Sequence, residues 1–331
     1  MKYYIITYGC QMNKSDSERI AKLLQEKGHK PVLNENKADL IIINACSVRQ
    51  SAIDRVFSKV NKFYKKKRVI IAGCLLAADR KKLQSKVYDF WHPDKYFACS
   101  PIYQNKLSAF LPIMTGCNNF CTYCAVPYTR GREKSKRANY IIKEAKNLIK
   151  KGYKEIVLLG QNVNSYKDGK INFAKLLEKI AEIDGDFKLS FITSHPKDMS
   201  DELIKTISKH SKISRWLNLP VQSGDNTILK KMNRKYTAQD YINLVKKIRK
   251  KVPGVKISTD IIVGFPGETL QQFKNTVKLA KKVKFENAYI ARFSPRAGTP
   301  AAKLKDNISI NEKKRRWLIL EKLINKKHAR S

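Results

Sequence analysis

Three cysteines constrain this chain most, because each closes an apolar run just where a helix begins. Tyr3 to Tyr8 (YYIITY) ends at Gly9-Cys10, Ala38 to Ala45 (ADLIIINA) ends at Cys46, and Val69 to Gly73 (VIIAG) ends at Cys74. After the first run, Ser15 or Asp16 is the expected N-cap, Ile20, Leu23 and Leu24 recur at helical spacing, and Gly28 ends the helix. A second helix is expected over 50–66. Strands alternating with helices predict a parallel sheet, whose strand C-termini share one ligand-binding edge. Cys10, Cys46 and Cys74 therefore converge there. Two readings are open: a shared ligand set, or three small residues buried in tight turns.

The stretch 75–107 completes this first domain, expected over 1–107. From Phe110 a new series begins, with candidate strands at 110–114, 155–159, 187–193, 216–221, 256–263 and 287–293 and Lys-rich helices between them. Six βα units are fewer than the eight of a closed barrel, so the fold class is α/β: a parallel-sheet domain followed by an open partial (βα)6 barrel over 108–305. Active sites of such barrels lie at the strand C-termini. A basic C-terminal helix and tail occupy 306–331, with a helix over about 310–326 whose Trp317, Leu320, Leu323 and Ile324 face the core.

Lys plus Arg is 68 and Asp plus Glu is 28, a formal charge of +40. Such a surplus favours polyanionic partners such as RNA, with binding that weakens steeply in salt. The lysines are also spread along solvated helix faces (KKKR at 65–68, KKIRKK at 246–251), as a biased genome composition would leave them. A hydrophobic share of 42% excludes a wholly disordered chain. No apolar run reaches the roughly 18 residues of a membrane span. The opening MKYYIITYGC is too short and too soon polar for a secretory signal, and seven cysteines in a chain of 331 residues do not make a disulfide scaffold. A soluble cytoplasmic protein is expected.

Cys117, Cys121 and Cys124 stand in GCNNFCTYC with the spacing Cys-x3-Cys-x2-Cys. A structural zinc site wants four ligands, and no fourth thiol or imidazole follows closely. A 4Fe–4S cluster held by three thiolates leaves one iron open to a small molecule. This triplet resembles the radical S-adenosylmethionine (SAM) signature. The runs TYGCQMNKSDS (7–17), NACSVRQSA (44–52), GCNNFCTYCAVPYTRGREKSK (116–136), LLGQNVNSY (158–166), TSHP (193–196), LPVQSGDN (219–226), STDIIVGFPGET (258–269) and FSPRAGTPAA (293–302) closely resemble the methylthiotransferase family. Gln-Met-Asn after Cys10 and Ser-Val-Arg after Cys46 resemble its tRNA isopentenyladenosine branch.

The resemblance implies two 4Fe–4S clusters and SAM as cofactors. Cys117, Cys121 and Cys124 would hold the SAM-binding cluster, and Cys10, Cys46 and Cys74 an auxiliary cluster that supplies sulfur. A 5′-deoxyadenosyl radical would attack C2 of N6-isopentenyladenosine next to the anticodon, with methyl from a second SAM. The implied partners are a tRNA anticodon stem-loop and a low-potential electron donor such as flavodoxin or ferredoxin, with the enzyme a monomer away from membranes. Tyr123 would sit near the SAM adenine. Gly160, Gln161 and Asn162 would orient SAM or the base, or else form a tight turn with a capping amide; Gln222 and Ser223 are similar. Gly264 would let backbone approach a ligand, or simply open a turn before Pro266. Arg130 and Arg132 would contact phosphate or the base, against surface cations as the plain reading. His195 is a turn or core histidine as readily as a catalytic one, and Cys99 is structural. The family usually carries a C-terminal β-barrel RNA-binding module; this sequence stops at Ser331, soon after the helix where that module would start, and two readings are open, a truncated sequence or a lineage without the module. Ala45, Lys134, Lys136 and Asn218 depart from the usual pattern without removing a ligand. The other readings are the same chemistry on threonylcarbamoyladenosine in tRNA or on a ribosomal protein, and a non-catalytic metal-stapled RNA-binding protein.

Overall fold

The structure is a computed structural model that describes residues 1–47 and 50–325; Val48 and Arg49 of the Ser-Val-Arg run lie outside the described residues. The N-terminal part comprises β1 (Lys2–Thr7), α1 (Gln11–Glu26), β2 (Lys30–Pro31), β3 (Leu40–Cys46), α2 (Gln50–Phe63), β4 (Arg68–Cys74), α3 (Ala77–Leu83) and β5 (Asp89–Trp91). Its strands form one parallel sheet in the order β2-β1-β3-β4-β5. β3 (LIIINAC) is buried at every position, as a parallel strand covered on both faces must be. Alternation splits its side chains. Ile41, Ile43 and Ala45 pack with Val56, Val60 and Phe63 of α2, while Leu40 and Ile42 pack with Ile20 and Leu24 of α1. The strand order reverses between β1 and β3, which makes their exits the switch point of the sheet. Cys10 and Cys46 stand at those two exits.

Helix α1 starts earlier than expected. Its N-cap is Cys10, in extended backbone, with Asn13 Oδ1 accepting from the Cys10 N–H at 3.3 Å. Ser15 and Asp16 lie buried inside the helix, where Arg19 and Arg130 engage their side chains. Gly28 does end the helix, at φ 77°.

The second part adds β6 (Ser108–Pro112), β7 (Met114–Thr115), α4 (Val126–Thr129), β8 (Lys134–Ser135), α5 (Ala138–Lys150), β9 (Glu155–Leu159), β10 (Lys167–Asp168), β11 (Ile171–Asn172), α6 (Phe173–Ala181), β12 (Lys188–Phe191), α7 (Asp201–Lys209), β13 (Trp216–Asn218), α8 (Asn226–Lys231), α9 (Ala238–Lys251), β14 (Lys256–Val263), α10 (Leu270–Val283), β15 (Asn287–Arg292) and α11 (Ile310–Ile324). All six expected barrel strands are present, as the parallel sheets β6-β9-β12 and β13-β14-β15. A parallel bridge from Leu189 to Ile213 joins them into one arc. β13 is shorter than expected because Pro220 has no N–H to give the ladder. β6 ends at Pro112, and the chain turns aside so that β7 pairs with β8.

The arc stays open: no pairing joins β6 to β15 among the described residues. Helix α11 covers the β15 edge. Asn325 donates to the Ala288 carbonyl and accepts from its N–H, each at 2.9 Å, and Trp317 Nε1 donates to the Ile290 carbonyl at 3.0 Å. At the other end, Met12 of α1 packs with Phe110, Val157, Leu159 and Ile192, the faces of the first barrel strands turned away from the helices. The N-terminal sheet thereby docks on the barrel through the helix that begins at Cys10.

Replacing Asn325 by Leu strips both Ala288 groups of their side-chain partner. The expected loss is about 1–3 kcal/mol of stability, read from urea unfolding followed by circular dichroism.

Candidate functional site

Cys46 and Cys74 are register partners on adjacent parallel strands, which puts their Cα atoms about 4.8 Å apart. Cys10 joins them across the switch point. Its position is set by a polar pair beneath it: Asn13 Nδ2 donates to Asn44 Oδ1 at 2.9 Å and to the Ala45 carbonyl at 3.0 Å, and Asn44 Nδ2 donates back to the Asn13 carbonyl at 2.7 Å. Gly73 is required here. Its φ is 89°, and a Cβ would stand 2.4 Å from Asn44 Oδ1. Cys46 and Cys74 are buried, Cys10 is exposed, and all seven cysteines are free thiols.

Arg130 reaches this trio from the barrel. Its Nε donates to Cys74 Sγ at 2.8 Å and its Nη2 to Asp16 at 2.5 Å. The guanidinium is 2% exposed. Burial pushes the Cys74 thiol up, and Arg130 opposes that rise. This placement corrects the expected contact of Arg130 with RNA: a cation enclosed by a carboxylate and a thiol is set to balance thiolate charge. Arg132, two residues on, is exposed and lies over the Phe120 ring at 4.3 Å.

The second trio sits in the loop from β7 to α4. Gly116, at φ 80°, has no room for a side chain: a Cβ would stand 2.0 Å from the Arg132 carbonyl. Its N–H donates to Gln161 Oε1 at 2.6 Å, which ties the loop to the end of β9. Asn233 Nδ2 donates to the Asn119 and Phe120 carbonyls at 3.1 and 3.0 Å. Each thiol accepts one N–H: Cys117 from Asn119 Nδ2 at 3.5 Å, Cys121 from Arg234 Nη1 at 3.6 Å and Cys124 from the Val126 backbone at 3.4 Å. Burial pushes Cys117 up and Cys124 up to about 12.

Sequence reasoning missed Arg234. It is buried at 7% exposure, donates to the Pro220 carbonyl and to Tyr236 Oη at 2.7 Å each, and comes from 113 residues beyond Cys121. The one cue was an arginine in the loop MNRKYT in a chain dominated by lysine.

The remaining expected residues divide. Tyr123 packs on Ile228, Met232, Phe265 and Phe293, and burial pushes its hydroxyl well up, with Arg234 opposing. Asn162 Nδ2 donates to Asp198 at 2.7 Å, leaving its buried Oδ1 without a partner. Gln222 holds a left-handed backbone at φ 68°, and its buried Oε1 has no partner either. Both amides present fixed acceptors. Gly160 is set by packing, since a Cβ would stand 2.6 Å from Met114 Cγ. Ser223 is fully buried against Thr276 of α10 at 3.3 Å, so it braces a helix and does not reach a ligand. Gly264 seats its turn on Lys313, and its N–H donates to Glu268 at 2.8 Å. His195 accepts from the Lys197 N–H at 3.2 Å; burial, then Arg234 and Lys197, push it down to about 2, so the ring is neutral. Cys99 packs beside the α1 face of the N-terminal sheet as a small apolar residue.

The thiol geometry tests what each trio can hold. Three thiolates on one zinc would lie about 3.8 Å apart, from Zn–S bonds near 2.3 Å in a tetrahedron. Among the described residues, the set of potential ligand atoms converging within 4.8 Å is Glu178, Glu182 and His210, not cysteines. Thiols that do not close to that spacing, four of them (Cys74, Cys117, Cys121 and Cys124) accepting an N–H from arginine, amide or backbone, fit a multi-iron cluster, whose potential such hydrogen bonds tune.

Comparison with known proteins places the chain. Residues 111–280 match the radical SAM superfamily, and residues 2–92 match the uncharacterized protein family UPF0004. The tRNA-2-methylthio-N(6)-dimethylallyladenosine synthase of Carboxydothermus hydrogenoformans is 43% identical over 98% of this chain and 83% of its own length. That of Clostridium novyi is 41% identical over 99% of this chain and 82% of its own length. Among solved structures, the radical SAM methyltransferase TsrM of Kitasatospora setae aligns with a TM-score of 0.67 at 11% identity, over 91% of this chain and 77% of that one. The cobalamin-dependent SAM radical enzyme OxsB aligns with a TM-score of 0.56 at 10% identity, over 98% and 56%. Those two likenesses concern the fold. The two thiol trios, the open barrel and the near full-length identity together mean that the chain belongs to the radical SAM superfamily and, within it, to the family of tRNA-2-methylthio-N6-dimethylallyladenosine synthases.

Proposed function

We propose that this chain attaches a methylthio group to C2 of N6-isopentenyladenosine next to the anticodon of tRNA. One observation carries the reading: two trios of free thiols, one at the strand exits of the N-terminal parallel sheet and one in the loop between β7 and α4, are linked by Arg130, six residues past Cys124 and in contact with Cys74. Cys117, Cys121 and Cys124 would hold the cluster that binds SAM, and Cys10, Cys46 and Cys74 the auxiliary cluster. When bound, these groups and SAM supply one-electron chemistry, sulfur and methyl.

The protein's own residues do the positioning. Arg130 stands against Cys74 and opposes the rise that burial gives its thiol, and Arg234 donates an N–H to Cys121 Sγ. Gln161 and Asn233 hold the cluster loop from two sides. Asn162 and Gln222 offer carbonyl oxygens to N–H donors of SAM or of the adenine. The exposed Arg132, lying over the half-buried Phe120 ring, suits a nucleobase or phosphate at the site's margin. The charge of +40 draws in the anticodon stem-loop. We infer a cytoplasmic monomer served by a low-potential carrier such as flavodoxin or ferredoxin; no helix among the described residues is long and apolar enough to cross a membrane.

In a strain lacking the gene, mass spectrometry of tRNA should find N6-isopentenyladenosine in place of its 2-methylthio derivative. Retention of the methylthio nucleoside, or loss of a methylthio group from threonylcarbamoyladenosine instead, would overturn the assignment. Protein purified without oxygen should contain about eight iron atoms, from two four-iron clusters; changing Cys117, Cys121 and Cys124 together to Ala should halve that, whereas one zinc per chain would favour a metal-stapled binding protein. Arg132→Ala should weaken stem-loop binding and reduce the slope of log affinity against log salt by about 1. Arg130→Ala should leave that slope unchanged and lower the iron held by the auxiliary trio.

A further inference from the structure

Arg296 lies in FSPRAGTPAA, in the loop after the last barrel strand, and the chemistry above does not use it. It is 4% exposed. Its Nη2 meets Asp79 at 3.0 Å, and its Nη1 donates to Gln50 Oε1. Gln50 opens α2, four residues past Cys46, and Asp79 lies in the first turn of α3, five residues past Cys74. The Arg296 carbonyl in turn accepts from the Thr299 N–H at 3.0 Å and the Thr299 hydroxyl at 2.8 Å, which stiffens the loop that carries it.

Set beside Arg130, the pattern is a two-point clamp. Arg130 grips α1, the Cys10 helix, through Asp16, and the β4 exit through Cys74. Arg296 grips the helices that follow Cys46 and Cys74. One cation comes from the loop after the first barrel strand and the other from the loop after the last, so the two rims of the open arc hold all three cysteine-bearing turns between them. A buried charge pair contributes little net stability for its desolvation cost, and the Arg296 Nε–H has no partner at all. Packing alone would be served as well by apolar residues. What the pair provides is a fixed distance.

We propose that Arg296 is a positioning residue that, through Asp79 and Gln50, sets the separation between the two thiol trios. The proposal rests on the methylthiotransferase reading in one respect, that both trios carry clusters. The test uses the cluster-loaded full chain with Arg296→Lys, Arg296→Gln, Asp79→Asn and the reversed pair Arg296→Asp/Asp79→Arg. Iron per chain is expected to stay at the wild-type value in all four. Dipolar broadening between the two reduced clusters in electron paramagnetic resonance should change in Arg296→Gln and Asp79→Asn. The 5′-deoxyadenosine released per methylthiolated nucleoside should rise at least threefold in the same two. Arg296→Lys, which keeps the bond to Asp79, should fall between, and the reversed pair should return toward wild type. Loss of iron from Arg296→Lys would show a role in folding or loading and overturn the proposal, as would unchanged broadening with an unchanged product ratio. If wild type makes no methylthio product, the function fails while the resonance comparison still decides the clamp.

Discussion

The buried contact of Arg130 with Asp16 and Cys74 is the interaction on which the site's arrangement depends. A guanidinium loses several kcal/mol on leaving water unless charge and hydrogen bonds compensate it. Here the carboxylate comes from the helix that starts at Cys10, the thiol from the end of β4, and the cation from the loop that carries the barrel trio. None of the three is compensated if the sheet and the barrel part. The contact therefore makes docking of the two parts a condition of burial, and it sets the short stretch of chain that carries the barrel trio against Cys74 of the other trio.

The surroundings extend the same logic. The thiols of Cys74, Cys117, Cys121 and Cys124 each receive an N–H, from backbone, amide or arginine, and the buried acceptors left over include the carbonyl oxygens of Asn162 and Gln222. A site rich in donors for sulfur, with acceptors aimed elsewhere, is matched to iron–sulfur ligation on one side and to amine-bearing ligands on the other. His195 stays neutral beside Arg234 and Lys197, so the positive charge at this point belongs to those two side chains.

Much of this is legible in the sequence. Apolar runs ending in cysteine located three strand exits, since period and termination are local properties, and the six barrel strands followed from the same signal. What escaped notice was non-local. Arg234 touches Cys121 across 113 residues and Arg130 touches Cys74 across 56, and no spacing rule announces such pairs. Position after a cluster loop points Arg130 to phosphate or the base because it does not distinguish a solvated cation from an enclosed one. Ser223 misled in a similar way: a serine at a strand end is the same letter whether it meets a ligand or, as here, the hydroxyl of a neighbouring helix. Helix α1 began early because Asn13 could serve the Cys10 N–H, freeing Ser15 and Asp16 for tertiary partners.

The barrel mouth also holds Phe120, Thr193 and Gln222 in left-handed backbone, at φ 49°, 68° and 68°. Side chains there cost of order 1 kcal/mol or more each where glycine would cost nothing. Relatives that drifted to glycine at these three places would gain robustness and lose whatever these side chains contribute. The rim is thus the region where the fold trades durability against work, and on heating it should fray before the apolar base beneath it.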